Sequence, residues 1–169
     1  MKTFQIRPKN NDDHHWVVDL LQKHWGATKM VTRGKIHHPD KLSGLVAMEV
    51  GQPVGLVTYR IDADECEIVT INSLIEQQGV GSALIGAVKD FAAAAKCKRL
   101  WLITTNDNMD ALRFYQKQGF KLVAVYPNAL EQSRRLKPEI PLTGKDGIPL
   151  RDEIEMELFL RECNTKNMS

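Results

Sequence analysis

Between Ile75 and Phe91 the chain reads IEQQGVGSALIGAVKDF, with Gly79 and Gly81 set between a β-branched run and an amphipathic helix. A helix N-terminus offers up to four unpaired N–H groups and the positive end of the helix dipole, so a phosphate fits there. Glycines in the preceding turn permit positive φ and close backbone approach, and Ser82 adds a hydroxyl in the first turn. The competing reading is a plain chain turn. Spacing removes two other phosphate sites. A dinucleotide-binding turn needs a small residue where Leu84 stands and follows the first strand, whereas three or four strands precede this segment. A P-loop needs Gly-Lys-Ser/Thr, and GVGSALI has no lysine.

Other reactive side chains do not assemble into a site by spacing. Cys66, Cys97 and Cys163 are odd in number and share no short interval, so neither a disulfide framework nor a zinc site is indicated. His14-His15 and His37-His38 are adjacent pairs, which chelate one ion poorly, and no metal is expected. Asp62, Asp64 and Glu65 read as turn chemistry. A net charge of +2 over 169 residues gives no field suited to nucleic acid. The first residues lack an apolar signal core, and no run approaches membrane-spanning length, so a cytoplasmic protein is expected.

These residues need elements to hold them. TFQIRP reads as a strand ending at Pro8, followed by a helix carrying Trp16, Val17, Leu20, Leu21 and His24, capped by Asn11 or Asp12 and closed by Gly26. Residues 26 to 44 have no sustained period and read as a long functional loop. LVAMEV and VGLVTYRI form a hairpin about GQP, and CEIVTINSLI is the next strand. The helix after the glycines places Val80, Leu84, Ala87, Val88, Phe91 and Ala95 on one face. RLWLITT is a central strand, NDNMDALRFYQKQG a helix closed by Gly119, and FKLVAVY a strand. A polar helical piece, ALEQSRRLK, precedes a last strand around EIEMELFL. The order predicts an α/β (α+β) fold: a mixed sheet with helices on its faces.

The strand–EQQGVGSALI–helix unit, together with NMDALRFYQKQGF one strand later, resembles the GNAT N-acetyltransferase superfamily. That family's phosphate loop runs Gln/Arg-x-x-Gly-x-Gly/Ala. Its second signature, Asn-x-x-Ala-x-x-x-Tyr before Gly-Phe, is matched by Asn108, Ala111, Tyr115 and Gly119-Phe120. The resemblance covers Thr3 to Tyr126 and implies one GNAT domain over residues 1–169, with its core signature at about 45–126 and a mostly antiparallel central sheet. Glu76 departs from the pattern by occupying the Gln/Arg slot, where Gln77 and Gln78 would compensate as hydrogen-bond donors.

The resemblance implies acetyl transfer from acetyl-CoA to a primary amine by direct attack. The pyrophosphate would rest on the amides of Gln78, Gly79, Val80, Gly81 and Ser82. The pantetheine arm would pair with backbone at Ile71, Asn72 and Ser73, where an N–H would stabilise the developing oxyanion. Glu67, Glu65 and Glu49 are candidate bases, with Glu67 preferred, and Tyr115 is the acid for the leaving thiolate. Asn108 would position the cofactor or cap its helix. The 26–44 segment would flank the acceptor, placing Arg33 to hold a substrate carboxylate. Homodimers are common in the family, and the acceptor is a protein amine or a small molecule. The alternative is an inactive acyl-CoA-binding sensor or interaction module.

Overall fold

The computed structural model describes residues 2–160, so Cys163 lies outside the described residues. Strand β1 (Gln5–Pro8) leads through a 3-10 turn into α1 (His14–Trp25) and a short hairpin, β2 (Met30–Thr32) and β3 (Lys35–His37). Strands β4 (Ser43–Glu49), β5 (Gln52–Asp62) and β6 (Glu65–Ser73) precede α2 (Val80–Ala94). Then come β7 (Arg99–Thr105), α3 (Met109–Lys117), β8 (Lys121–Tyr126), α4 (Ala129–Leu136) and β9 (Glu153–Phe159). Seven strands form one sheet in the order β1-β4-β5-β6-β7-β9-β8. Every neighbouring pair in it is antiparallel except β6 and β7. This is the mixed, mostly antiparallel sheet flanked by helices that the sequence led us to expect.

Both sheet faces are covered, by different means. Val80, Leu84, Ile85, Val88 and Ala92 of α2 bury against Leu45, Ala47, Val57, Cys66, Ile68, Leu100 and Leu102. Each fully buried aliphatic chain contributes roughly 1.5–3 kcal/mol. The burying face of α2 is thus rotated from the expected one: Phe91 is 45% exposed, its ring 5.9 Å from that of Tyr59 between centroids. On the other face α1 packs Val17, Leu20 and Leu21 onto Val46 and Leu56. Cys66 and Cys97 are buried as small apolar side chains, and burial pushes the Cys66 thiol up to about 12.

Three local expectations need correction. The residue that caps the start of the first helical segment is Asn10, whose side chain accepts from the Asp12 N–H at 2.9 Å while Asp13 accepts from the Asn10 N–H at 2.8 Å. The turn between β4 and β5 is Val50-Gly51, both at positive φ (49° and 76°), so the strand already resumes at Gln52. The 26–44 segment is not irregular. It contains the β2–β3 hairpin, closed by Arg33 (φ 49°) and Gly34 (φ 69°), a left-handed pair of the kind that two-residue hairpins favour.

The β6–β7 contact is short. Glu65 to Ile68 pair with Arg99 to Leu102, and pairing stops there. On the other edge of β6 the register with β5 shifts: Tyr59 faces Ile68 while Thr58 faces Thr70, leaving Val69 as an extra residue. Such a bulge bends the strand and exchanges the faces of everything beyond it.

Asp13 ties β1 to the start of α1 through both oxygens, accepting from Arg7 at 2.7 and 2.8 Å. The Arg7 guanidinium holds its carboxyl below the usual range. Asp13→Asn is expected to cost about 2 kcal/mol in urea unfolding at pH 7. Because the folded pKa is depressed, the difference should be complete above about pH 4 and vanish as pH falls through the lower folded value.

Candidate active site

Beyond the bulge, β6 and β7 part and a cleft of about 740 Å³ opens between them. That volume is typical of a small-molecule site. Ile68 to Ile71 and Ser73 line it from β6, Leu102 to Thr104 from β7, and Trp25 from the end of α1. The far end is closed by Glu76, Gln77 and the start of α2 on one side, and by Asn108, Ala111, Phe114 and Tyr115 on the other. Among the described residues no strand pairs with β6 beyond Ile68 on this side, so its backbone edge faces the cleft.

The start of α2 is built to receive an anion. Gly79 takes a left-handed conformation (φ 86°), and no side chain caps the helix. The first intrahelical bond runs from the Ala83 N–H to the Gly79 carbonyl at 3.0 Å. The N–H groups of Val80, Gly81 and Ser82 therefore precede the helical ladder, at residues that line the cleft. The two glycines serve different needs. A Cβ at Gly79 would meet nothing within 4 Å, so that position needs only the positive φ. A Cβ at Gly81 would come within 3.0 Å of Phe114 Cζ, so the second glycine admits an aromatic ring of α3.

Helix α3 is set by its own first residue. Asn108 Oδ1 accepts from the Ala111 N–H at 3.2 Å, capping the helix beside the cleft. Tyr115 is buried between Phe114 and Phe120, with centroids 5.2 and 5.5 Å away, and burial raises its pKa. Its proton therefore stays in place at neutral pH. Ser82 lies at the cleft with its hydroxyl accepting from Gln118 Nε2 at 2.9 Å.

Several expected residues lie elsewhere. Asn72 turns to the α1 face and accepts from Trp25 Nε1 at 3.2 Å, so its side chain positions the Trp25 indole and does not line the cleft. The Gln78 side chain also stays outside, accepting from Lys2. Glu49 is ion-paired with Lys2 at 2.7 Å, at the end of β4 and away from both cavities. Trp25 was the contributor missed from sequence. Its helical spacing marked α1 as a packing helix but gave no sign that its last aromatic residue turns into a cleft.

Glu67 and Arg33 line a second, smaller pocket of about 170 Å³, with Thr32, Lys35, His37, Arg60, Asp62, Glu65 and Trp101. Glu67 and His37 are buried there. Arg60 Nε donates to Glu67 Oε2 at 2.6 Å, and His37 Nε2 lies 4.0 Å from Glu67 Oε1. The Arg33 guanidinium stacks 3.3 Å above the Tyr126 ring, and its backbone N–H donates to buried Glu153 at 3.0 Å. Glu67 and Trp101 lie two residues before Val69 and Ile103 of the cleft, about 7 Å along each strand. The two spaces lie near each other along β6 and β7.

A sheet parted beside an uncapped helix start is the architecture of acyl-CoA-dependent acetyltransferases. This chain belongs to the GNAT acetyltransferase family, which its residues 7–120 match. The uncharacterised protein YdhI of Bacillus subtilis (strain 168) is 47% identical over 150 residues, 88% of this chain and 94% of its own. Among solved structures, a Bacillus subtilis acetyltransferase in complex with CoA superposes with a TM-score of 0.68 at 18% identity, covering 94% of this chain and all of that one, 100%. A GNAT family acetyltransferase from Elizabethkingia anophelis with acetyl-CoA bound gives 0.68 at 19% identity, covering 95% and 100%.

Gly79→Ala is expected to cost about 1–2 kcal/mol in urea unfolding, from left-handed strain alone. Gly79→Asn should recover part of that loss, since asparagine tolerates this conformation.

Proposed function

We propose that the chain transfers an acetyl group from acetyl-CoA to a primary amine by direct attack in a ternary complex. The observation that carries this reading is continuity. One cleft runs from the unpaired N–H groups of α2 to the point where β6 and β7 part. The donor set suits the ligand: amides for a pyrophosphate, an unpaired strand edge for the pantetheine amides, and apolar walls between. When bound, acetyl-CoA supplies the acetyl group as a thioester.

The protein's own groups divide the remaining work. Val80, Gly81 and Ser82 hold the diphosphate through backbone N–H groups, with Gly79 shaping the turn and Gln77 and Gln78 flanking it. The β6 edge from Val69 to Ser73, including Ile71, orients the arm and offers an N–H toward developing negative charge. Asn108 and Ala111 keep α3 against the cleft, so that Tyr115 donates the proton that the leaving sulfur requires. Glu67 removes a proton from the amine, reached through the adjoining pocket, and Arg33 contacts the acceptor from the pocket wall. A lysine-like amine has a pKa of about 10.4, so this deprotonation is needed at neutral pH. Among the described residues no helix is long and apolar enough to cross a membrane. We place the activity in the cytoplasm.

A second reading rests on Glu76, an exposed acidic residue among those lining the cleft beside the start of α2. If its charge defeats productive binding, the fold serves as an acyl-CoA sensor or interaction module without transfer. Calorimetry with acetyl-CoA, NAD and ATP, followed by thiol release with a panel of amines, separates the two. Selective acetyl-CoA binding with amine-dependent thiol release supports transfer; binding without release supports the module. Tyr115→Phe is expected to lower turnover by on the order of 100-fold while leaving acetyl-CoA affinity within about twofold. Unchanged turnover would remove Tyr115 from the mechanism.

A further inference from the structure

The amine's proton needs somewhere to go, and the small pocket holds a second group able to keep it. His37 is 7% exposed and Glu67 is 4% exposed, both facing a cavity of about 170 Å³. Arg60 occupies one carboxylate oxygen of Glu67, at 2.6 Å. The other, Oε1, has His37 Nε2 at 4.0 Å, beyond hydrogen-bonding reach. The same ring nitrogen lies 3.0 Å from Thr32 Oγ1. The β2–β3 hairpin fixes this arrangement, since Met30 to Thr32 pair directly with Lys35 to His37.

We propose that His37 is the proton-holding partner of Glu67, so that the amine's proton, taken up at Glu67 Oε1, passes to His37 Nε2 and leaves from there. The inference rests on the amine-acetylation reading and extends it to a residue which the signature motifs do not include. In the first transfer an ammonium N–H bond breaks and an O–H bond forms at Glu67 Oε1. In the second, once the ring turns from Thr32 and closes the 4.0 Å gap to Glu67 Oε1, that O–H bond breaks and an N–H bond forms at His37 Nε2. The carboxylate is restored and faces the imidazolium. Amide formation from an ammonium and a thioester releases one proton overall, and this is the one that departs.

Charge and burial suit the role. An ordinary imidazole is a stronger base than an ordinary carboxylate by about two pKa units, which suits it to hold the proton. Burial lowers the pKa of His37, keeping the resting ring neutral and able to accept. Arg60 from β5, Lys35 on β3 and neighbouring His38 act in the same direction, and Glu67 from β6 opposes them. Asp62, Glu65 and Arg33 complete the charged wall of the pocket.

Two readouts test this. The first is the kcat–pH profile of wild type and His37→Gln with saturating acetyl-CoA, using spermidine, Nα-acetyl-lysine and kanamycin as acceptors. His37→Gln should lower kcat about 10-fold and move the acid limb to lower pH, because the remaining base is a carboxylate; acetyl-CoA affinity should not change. The second is the NMR titration of the His37 ring in unreacted protein, wild type against Glu67→Gln, which needs no His37 variant to fold. Loss of the facing carboxylate should move the ring's midpoint to lower pH. An unshifted acid limb with unchanged kcat, or a ring midpoint unmoved in Glu67→Gln, overturns the proposal. Acetyl-CoA binding without turnover of any amine by wild type would instead overturn the transfer reading, and the relay with it.

Discussion

One extra residue, Val69, opposite a β5 strand that has no counterpart for it, governs much of this molecule. Side chains alternate along a strand, so an inserted residue exchanges the faces of all that follow. Cys66 and Ile68 point at α2 before the insertion, and Ile71 packs against that same core after it. Glu67 lies on the opposite face with Thr70 and Asn72. Thr70 there meets the hydroxyl of Thr58 at 2.6 Å and Asn72 meets Trp25. Were Val69 instead kept in regular alternation with no bulge, Thr70 and Asn72 would turn toward α2 and leave Thr58 and Trp25, a burial costing about 1–3 kcal/mol for each unsatisfied group. The same irregularity accompanies the end of β6–β7 pairing. Register, cleft and free strand edge therefore share one origin.

The two faces of the C-terminal half of the sheet obey different physics. Toward α2 it presents Leu100, Leu102, Ile154 and Met156, all buried in one apolar cluster. Away from α2, β9 alternates Glu153, Glu155 and Glu157, and Arg99 donates to the last two. The β2–β3 hairpin lies over this charged layer, anchored at His37 beside Glu67 and at Arg33 over Tyr126 and Glu153. Buried carboxylates of this kind demand partners, and Arg60, Arg99 and the Arg33 backbone provide them. The proposed chemistry and the stability of this layer would thus draw on the same charged side chains.

The sequence was legible wherever a local rule acts alone. Gly79 declared a helix start, Asn108 a helix cap, and EIEMELFL a last strand. Long-range geometry was not legible. Val69 lies in the run IVTI, where either register offers an apolar residue to α2. Strands of three residues around Arg33-Gly34 are too short to show a period, so the hairpin was read as loop. Glu49 and Glu67 are alike in sequence, both glutamates on strands of the same sheet. Only tertiary placement sends one to Lys2 at the surface and the other into a buried pocket beside Arg60 and His37. Trp25 was hidden for a similar reason, since helical spacing reports a face and not what stands opposite the last turn.

Strand β9 lies between β7 and β8, although β8 comes earlier in the chain. The strands from β4 through β6 are joined by tight turns and can zip locally. In contrast, β8 has no neighbour in the sheet until residues 153 to 159 arrive. Closing the β7–β9 ladder brings together segments about fifty residues apart, and such non-local pairing forms slowly. Until then Leu100 and Leu102 lack Met156 beneath α2, and Arg99 lacks its two carboxylates. The cleft's β7 wall is thus completed last, and a nascent chain halted before β9 would carry the glycine turn and its helix on an unfinished sheet.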